Sequence, residues 1–258
     1  MRLYLYFLLI LLCFACQKKE VRQVKPVKLK GNSLKKQIKK VETSKEAAVF
    51  DTLHVFPKDT IVNQWNFHFK QIGVSLYKSL KSKTITTNFE QDDTRNFLTK
   101  KDSCFYLNIH TRKKDTLCSF NDGEYYENYI FKGFSKKTNT VLFDWNNWEE
   151  AHSLLINLNQ DRYWILCPEY EVSPNNRRLI TFSNYIDHPI YEKNEFFIYE
   201  LEEHYVTPIY YFSNQIYGIF ETLWVDQNTA LIQVKKIDDE NYKTTTSYFF
   251  ELKMTKPI

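Results

Sequence analysis

Glycine is scarce. The 258 residues contain only five, Gly31, Gly73, Gly123, Gly133 and Gly218, where an average chain carries about 7%. They lie too far apart to form a phosphate-cradling loop. The chain has no G-x-G-x-x-G, no G-x-x-x-x-G-K and no G-x-S-x-G, which argues against dinucleotide enzymes, P-loop NTPases and serine hydrolases with a nucleophile elbow. Histidine is also thin: six residues, with no H-x-x-x-H or H-x-H pair, so no zinc site is expected from spacing. Asn157-x-Asn159-x-Asp161 has the oxygen spacing of a calcium loop, but Arg162 takes the place of its glycine and Pro168 that of its final glutamate. No metal and no cofactor is expected.

What is present is an ordinary core-forming composition, 43% hydrophobic and 26% charged, with 17% aromatic residues. The net charge of +4 averages unlike parts. Residues 17–48 hold eleven basic and three acidic residues and no aromatic one, whereas residues from 49 onward hold 23 basic and 28 acidic. The basic stretch reads as a solvated tether, or as a patch resting on anionic headgroups. Nucleic acid is not an expected partner.

Ahead of it, Arg2 is followed by thirteen unbroken apolar residues, Leu3 to Ala15. A helix of that length spans about 20 Å, short of the roughly 30 Å hydrocarbon core, so a secretory h-region fits better than a transmembrane span. Leu12, Ala15 and Cys16, followed at once by Gln17-Lys18-Lys19, resemble the lipobox of bacterial lipoproteins. The resemblance implies a signal peptide over residues 1–15, lipidation of Cys16, and a tether over 16–48 that holds the protein to a membrane of the cell envelope, facing the periplasm or the surface. A soluble exported form and an uncleaved anchor are the alternatives.

Residues 49–258 consist of short β-prone runs: Cys104–His110, Thr140–Trp145, Leu154–Leu158, Leu179–Phe182 and Phe196–Leu201. Asparagine-rich turns separate them, at Asn139, Asn146-Asn147, Asn175-Asn176 and Asn228. Asparagine tolerates the left-handed conformation and can stand in for the missing glycine. The pattern predicts an all-β domain. Repeats reinforce it: Asn176–Phe182 matches Asn228–Val234 at an offset of 52, and Phe197–Leu201 matches Tyr248–Leu252 at 51. Leu154–Leu158 and Phe105–Ile109 continue the latter series backwards at 43 and 49. Such spacing suits propeller blades. Ser173-Pro174-Asn175-Asn176-Arg177-Arg178-Leu179 resembles the S-P-D-G-K-R-L turn of TolB-like and WD-repeat propellers, with Asn-Asn in place of Asp-Gly. The resemblance implies a small propeller of four or five antiparallel blades; an open β-meander or sandwich is the alternative.

Few residues suggest chemistry. Trp145, Trp148 and Glu149 form the most site-like cluster, in which indoles stack on a ligand ring and polar neighbours bind its hydroxyls; packing within a blade is the plainer reading. Asp92-Asp93 and Asp238-Asp239-Glu240 read as solvated loops. Cys104 and Cys118 flank a hairpin and are a candidate disulfide. A turn centred on Lys113-Lys114 puts them out of register, however, which favours free thiols, and Cys167 has no evident partner. The expected function is a non-catalytic binding module with an envelope protein as partner. Glycan binding and an envelope hydrolase are the competing readings.

Overall fold

The computed structural model of the chain describes residues 55–57, 59–90, 97–109, 114–148, 150–160, 162–183, 194–237 and 244–256. Signal segment 1–15, Cys16, tether 16–48, Glu149 and the acidic runs at 92–93 and 238–240 lie outside them.

The fold is all-β with one helix. Strands β1 (Asp59–Val62) and β2 (Trp65–Ile72) precede helix α1 (Val74–Lys81). A three-stranded sheet follows, β3 (Leu98–Lys101), β4 (Cys104–Asn108) and β5 (Lys114–Cys118). The second sheet has β6 (Phe120–Asn121), β7 (Tyr126–Ser135), β8 (Thr140–Asn147), β9 (Ala151–Asn157) and β10 (Arg162–Leu166) in consecutive order. The third has β11 (Glu169–Val172), β12 (Arg178–Phe182), β13 (Asn194–Leu201) and β14 (Val206–Asn214). The fourth begins with β15 (Tyr217–Trp224), β16 (Thr229–Ile237) and β17 (Thr244–Thr255) and is extended by β2 and β1 from the start of the chain. Every pairing is antiparallel. No sheet closes on itself among the described residues.

The sheets pack in chain order because their inner strands are apolar on both faces. In β13, Phe196 and Ile198 enter a cluster with Phe67, Ile232 and Leu252 of the fourth sheet. The intervening Phe197, Tyr199 and Leu201 enter another with Leu142 and Leu155 of the second. In β8, Val141 and Phe143 face the first sheet, meeting Phe105 and Leu107, while Leu142 faces the third. Period-two alternation with both faces covered produces continuous apolar runs such as Phe196–Tyr199. The outer face of the fourth sheet is covered by α1, whose Tyr77 packs with Ile72 and Leu231. Tyr77 donates to Glu221 at 2.8 Å, and Lys81 pairs with the same carboxylate at 2.7 Å.

One backbone bond recurs in all four sheets. The carbonyl just before a strand accepts an N–H from the end of the next strand: Phe97 from Asn108, Asn139 from Leu158, Arg177 from Leu201, Asn228 from Met254. Strands β4, β9, β13 and β17, which carry the sequence repeats, thus occupy equivalent places. The register corrects the sequence alignment. Arg177 corresponds to Asn228, an offset of 51 and not 52, and Leu201 corresponds to Met254, 53 and not 51. A one-residue slip turns side chains to the opposite face, so matching letters in β12 and β16 do not mean matching environments.

Asparagine takes the turn positions in part. Asn63, Asn139 and Asn176 adopt φ of 49°, 51° and 56°, whereas Asn146 and Asn147 lie within β8 and Asn228 keeps an ordinary backbone. Gly133 is required for a different reason. It sits at a bulge in β7, and a Cβ there would lie 2.6 Å from the Cβ and 2.7 Å from the carbonyl oxygen of Phe89.

The cysteine register was misjudged from the sequence. Cys104 and Cys118 stand directly opposite each other in β4 and β5 and are joined as a disulfide, S–S 2.08 Å. Lys114 is paired with Asn108 within the β4–β5 ladder, so Lys113-Lys114 is not the centre of the hairpin, and the register brings the cysteines into line. Cys167 is a buried free thiol.

Candidate functional site

The tryptophans singled out from the sequence have separate surroundings. Trp145, near the end of β8, packs half-buried against the cluster between the first and second sheets. Its ring lies parallel to Tyr129, 6.3 Å between centroids, and 5.5 Å from His152. Its indole N–H donates to Glu127 at 2.9 Å, and Tyr129 donates to the same carboxylate at 2.5 Å. Trp145 is therefore a packed residue with its polar atom satisfied. Trp148, just past β8, is 61% exposed. It is nevertheless held in place, donating to the carbonyl of Glu124 at 2.8 Å and meeting Tyr126 edge-on at 6.4 Å. The tight turn before β7 supports that carbonyl, because Asp122 accepts the N–H groups of Glu124 (3.0 Å) and Tyr125 (2.6 Å). Tyr125 is 64% exposed beside it. One end of the second sheet thus presents an ordered aromatic edge.

The proposed calcium spacing has another use. Asn157 is fully buried and its amide approaches the carbonyl of Glu203 at 3.3 Å, while Asn159 donates to that oxygen at 2.8 Å. Gln160 donates to the carbonyl of His204. These amides tie the second sheet to the turn between β13 and β14. Asp161 lies outside the described residues. Among the described residues no group of three His, Cys, Asp or Glu is placed to hold a metal.

A polar cavity of about 470 Å³ opens where the third and fourth sheets meet. From the sequence Arg177 and Arg178 read as turn residues, and nothing local marks Trp65. Arg178 begins β12 and is 9% exposed. Its Nη1 donates to the carbonyl of Gln227 and to Asn228 Oδ1, the latter at 2.7 Å. The guanidinium lies 4.4 Å from the Trp65 ring centroid. Burial draws its pKa down, opposed by the nearby charges of Glu200 and Asp226. Glu200, opposite Arg178 in the β12–β13 register, accepts from Trp65 Nε1 and pairs with Lys256, both at 3.4 Å. Asn175 reaches Gln227 at 3.3 Å. Residues 65, 178, 200, 227 and 256 converge only through strand pairing and the packing of the third sheet on the fourth, and the one local signal is the pair of arginines after Asn176.

No family model, no curated protein and no solved structure matches the chain. Among the described residues no helix is long and apolar enough to cross a membrane.

Proposed function

We propose that the protein is a cell-envelope lipoprotein, anchored through acylated Cys16 and spaced from the bilayer by the basic segment 16–48. Its β domain binds an envelope protein without catalysis. The observation that carries the binding reading is Trp148, an indole 61% exposed whose orientation is nonetheless set by a hydrogen bond to Glu124. A large aromatic surface held rigid in water loses little further entropy when a partner covers it, which is why such residues anchor interfaces. Tyr125 extends the surface.

We read the four sheets as propeller-like blades, the last completed by β2 from the start of the chain alongside β17 from its end. The recurring carbonyl bond in each sheet supports that reading. An experimental structure with the sheets radiating from a common axis bears it out; a linear row of sheets overturns it.

Anchoring is tested by acyl labelling, expected for the native chain and absent in Cys16→Ser; persistent label in that variant defeats it. Partner binding is tested with a photo-crosslinking residue in place of Tyr125 in intact envelopes. Discrete adducts that vanish with Trp148→Ala support the reading, and adducts indifferent to Trp148 oppose it. Glycan capture is the second reading, favoured by the flat exposed indole face on which a sugar ring can stack. A glycan array showing no binding to any sugar ends it.

A further inference from the structure

Arg178 is surrounded unlike an arginine whose only task is to hold sheets together. A buried guanidinium ordinarily faces a carboxylate, since removing the charge from water costs several kcal/mol (roughly) unless a counter-charge is met. Arg178 makes no ion pair among the described residues. Its Nη1 bonds are to neutral oxygens of Gln227 and Asn228, and its Nε, fully buried, has no partner. Glu200, the residue opposite it, is engaged by Trp65 and Lys256 instead. Glu200 and Asp226 lie near enough to offset part of the charge without pairing with it, and Arg178 lines the wall of the cavity.

The mouth of that cavity adds to the imbalance. Arg177 is exposed and lines it. The Arg177 backbone is fixed, its carbonyl accepting from Leu201 at 2.8 Å and its N–H donating to Asn175 Oδ1 at 3.1 Å. Its guanidinium has no hydrogen bond or ion pair to any described residue. Lys256 stands on another side. The amides of Asn175 and Gln227 and the carboxylates of Glu200 and Glu202 complete the polar lining.

We propose that this cavity binds a small polyhydroxylated anion, a sugar acid or sugar phosphate. Its oxyanion is held by Arg177 within the field of Arg178, with Lys256, shared with Glu200, on another side, and its hydroxyls by the amides and carboxylates. A planar guanidinium matches a carboxylate or phosphate in a two-point contact. A volume of about 470 Å³ lies in the range of small-ligand sites. Amides and carboxylates are the acceptors that hydroxyls require. The site is separate from the aromatic edge at Trp148 and stands or falls without it.

Isothermal titration of the full chain with glucuronate, glucose 6-phosphate, glucose and inorganic phosphate tests the assignment. Saturable binding of at least one anionic sugar is expected, and the stronger of the two identifies the oxyanion. Arg177→Gln should weaken it about tenfold or more, the usual consequence of losing a charged hydrogen bond, with an unchanged melting temperature because that side chain bonds none of the described residues. Three results overturn the proposal: no saturable binding of either anionic sugar, equal binding of glucose or inorganic phosphate, or full binding by a folded Arg177→Gln variant.

Discussion

The guanidinium of Arg178 lies 4.4 Å from the ring centroid of Trp65, joining the first residue of β12 in the third sheet to the first residue of β2 in the fourth. Trp65 is 3% exposed and also donates to Glu200, so one side chain serves the hydrophobic cluster, a cation and a carboxylate. Trp65→Ala is expected to destabilise the domain by about 3–5 kcal/mol, the usual range for emptying a buried tryptophan site. Urea unfolding checks it; a loss below about 1 kcal/mol, the level of a surface change, refutes the structural role.

Gly133→Ala is expected to cost about 2 kcal/mol or more, as overpacking does where backbone must move. The new Cβ meets the Phe89 carbonyl as well as its side chain, and the segment at Glu90 is locked to β7 by an isolated bridge, Glu90–Phe134 bonds of 2.8 and 2.9 Å. Adding Phe89→Ala should therefore fail to rescue stability. Rescue in the double variant would show that the Phe89 ring, and not its backbone, sets the limit.

The Cys104–Cys118 disulfide encloses a loop with a sequence separation of 14. Replacing both cysteines by serine should lower stability by about 2–3 kcal/mol, through the freedom regained by the unfolded chain. Cys167 is buried, and burial pushes its thiol far above the ordinary range. Thiol reagents should therefore label it only when the domain unfolds. Rapid labelling of the native protein contradicts that.

Glu171, in β11, is raised to about 7, first by burial and then by the charges of Glu221 and Glu169. A carboxyl raised in the folded state favours the neutral form there. Its contribution is full below the unfolded value of about 4.3 and is lost as pH climbs through about 7. Stability should fall between about pH 4 and pH 7, by about 1 kcal/mol once partial solvent screening is allowed for. Glu171→Gln should flatten that part of the profile. An unchanged slope in the variant assigns the pH dependence to another group.

Much of the secondary structure was legible. The runs beginning at Cys104, Thr140, Leu154, Leu179 and Phe196 each fall on a strand, those from Cys104 and Leu154 running past its end, because alternation and β-branched or aromatic content act within a few residues. Asn139 and Asn176 were legible as turn residues for the same reason. Trp148 was visible as an unusual residue, but its separation from the packed Trp145 was not. Three residues of spacing say nothing of which indole a neighbouring sheet covers.

The sequence by itself determined that the domain is all-β and that asparagine would share the turns with a few glycines, since both follow from local backbone preference. Tertiary structure decided the rest. Strand register set Cys104 against Cys118 and moved the repeat by one residue in β12 and β16 and by two in β13 and β17. Packing of the third sheet on the fourth brought Trp65, Arg178, Glu200 and Lys256 around one cavity. Those four are separated by 22 to 191 residues, and no local rule links them. Their meeting is a result of which apolar faces bury each other, an energy that belongs to pairs of sheets and not to any segment of chain.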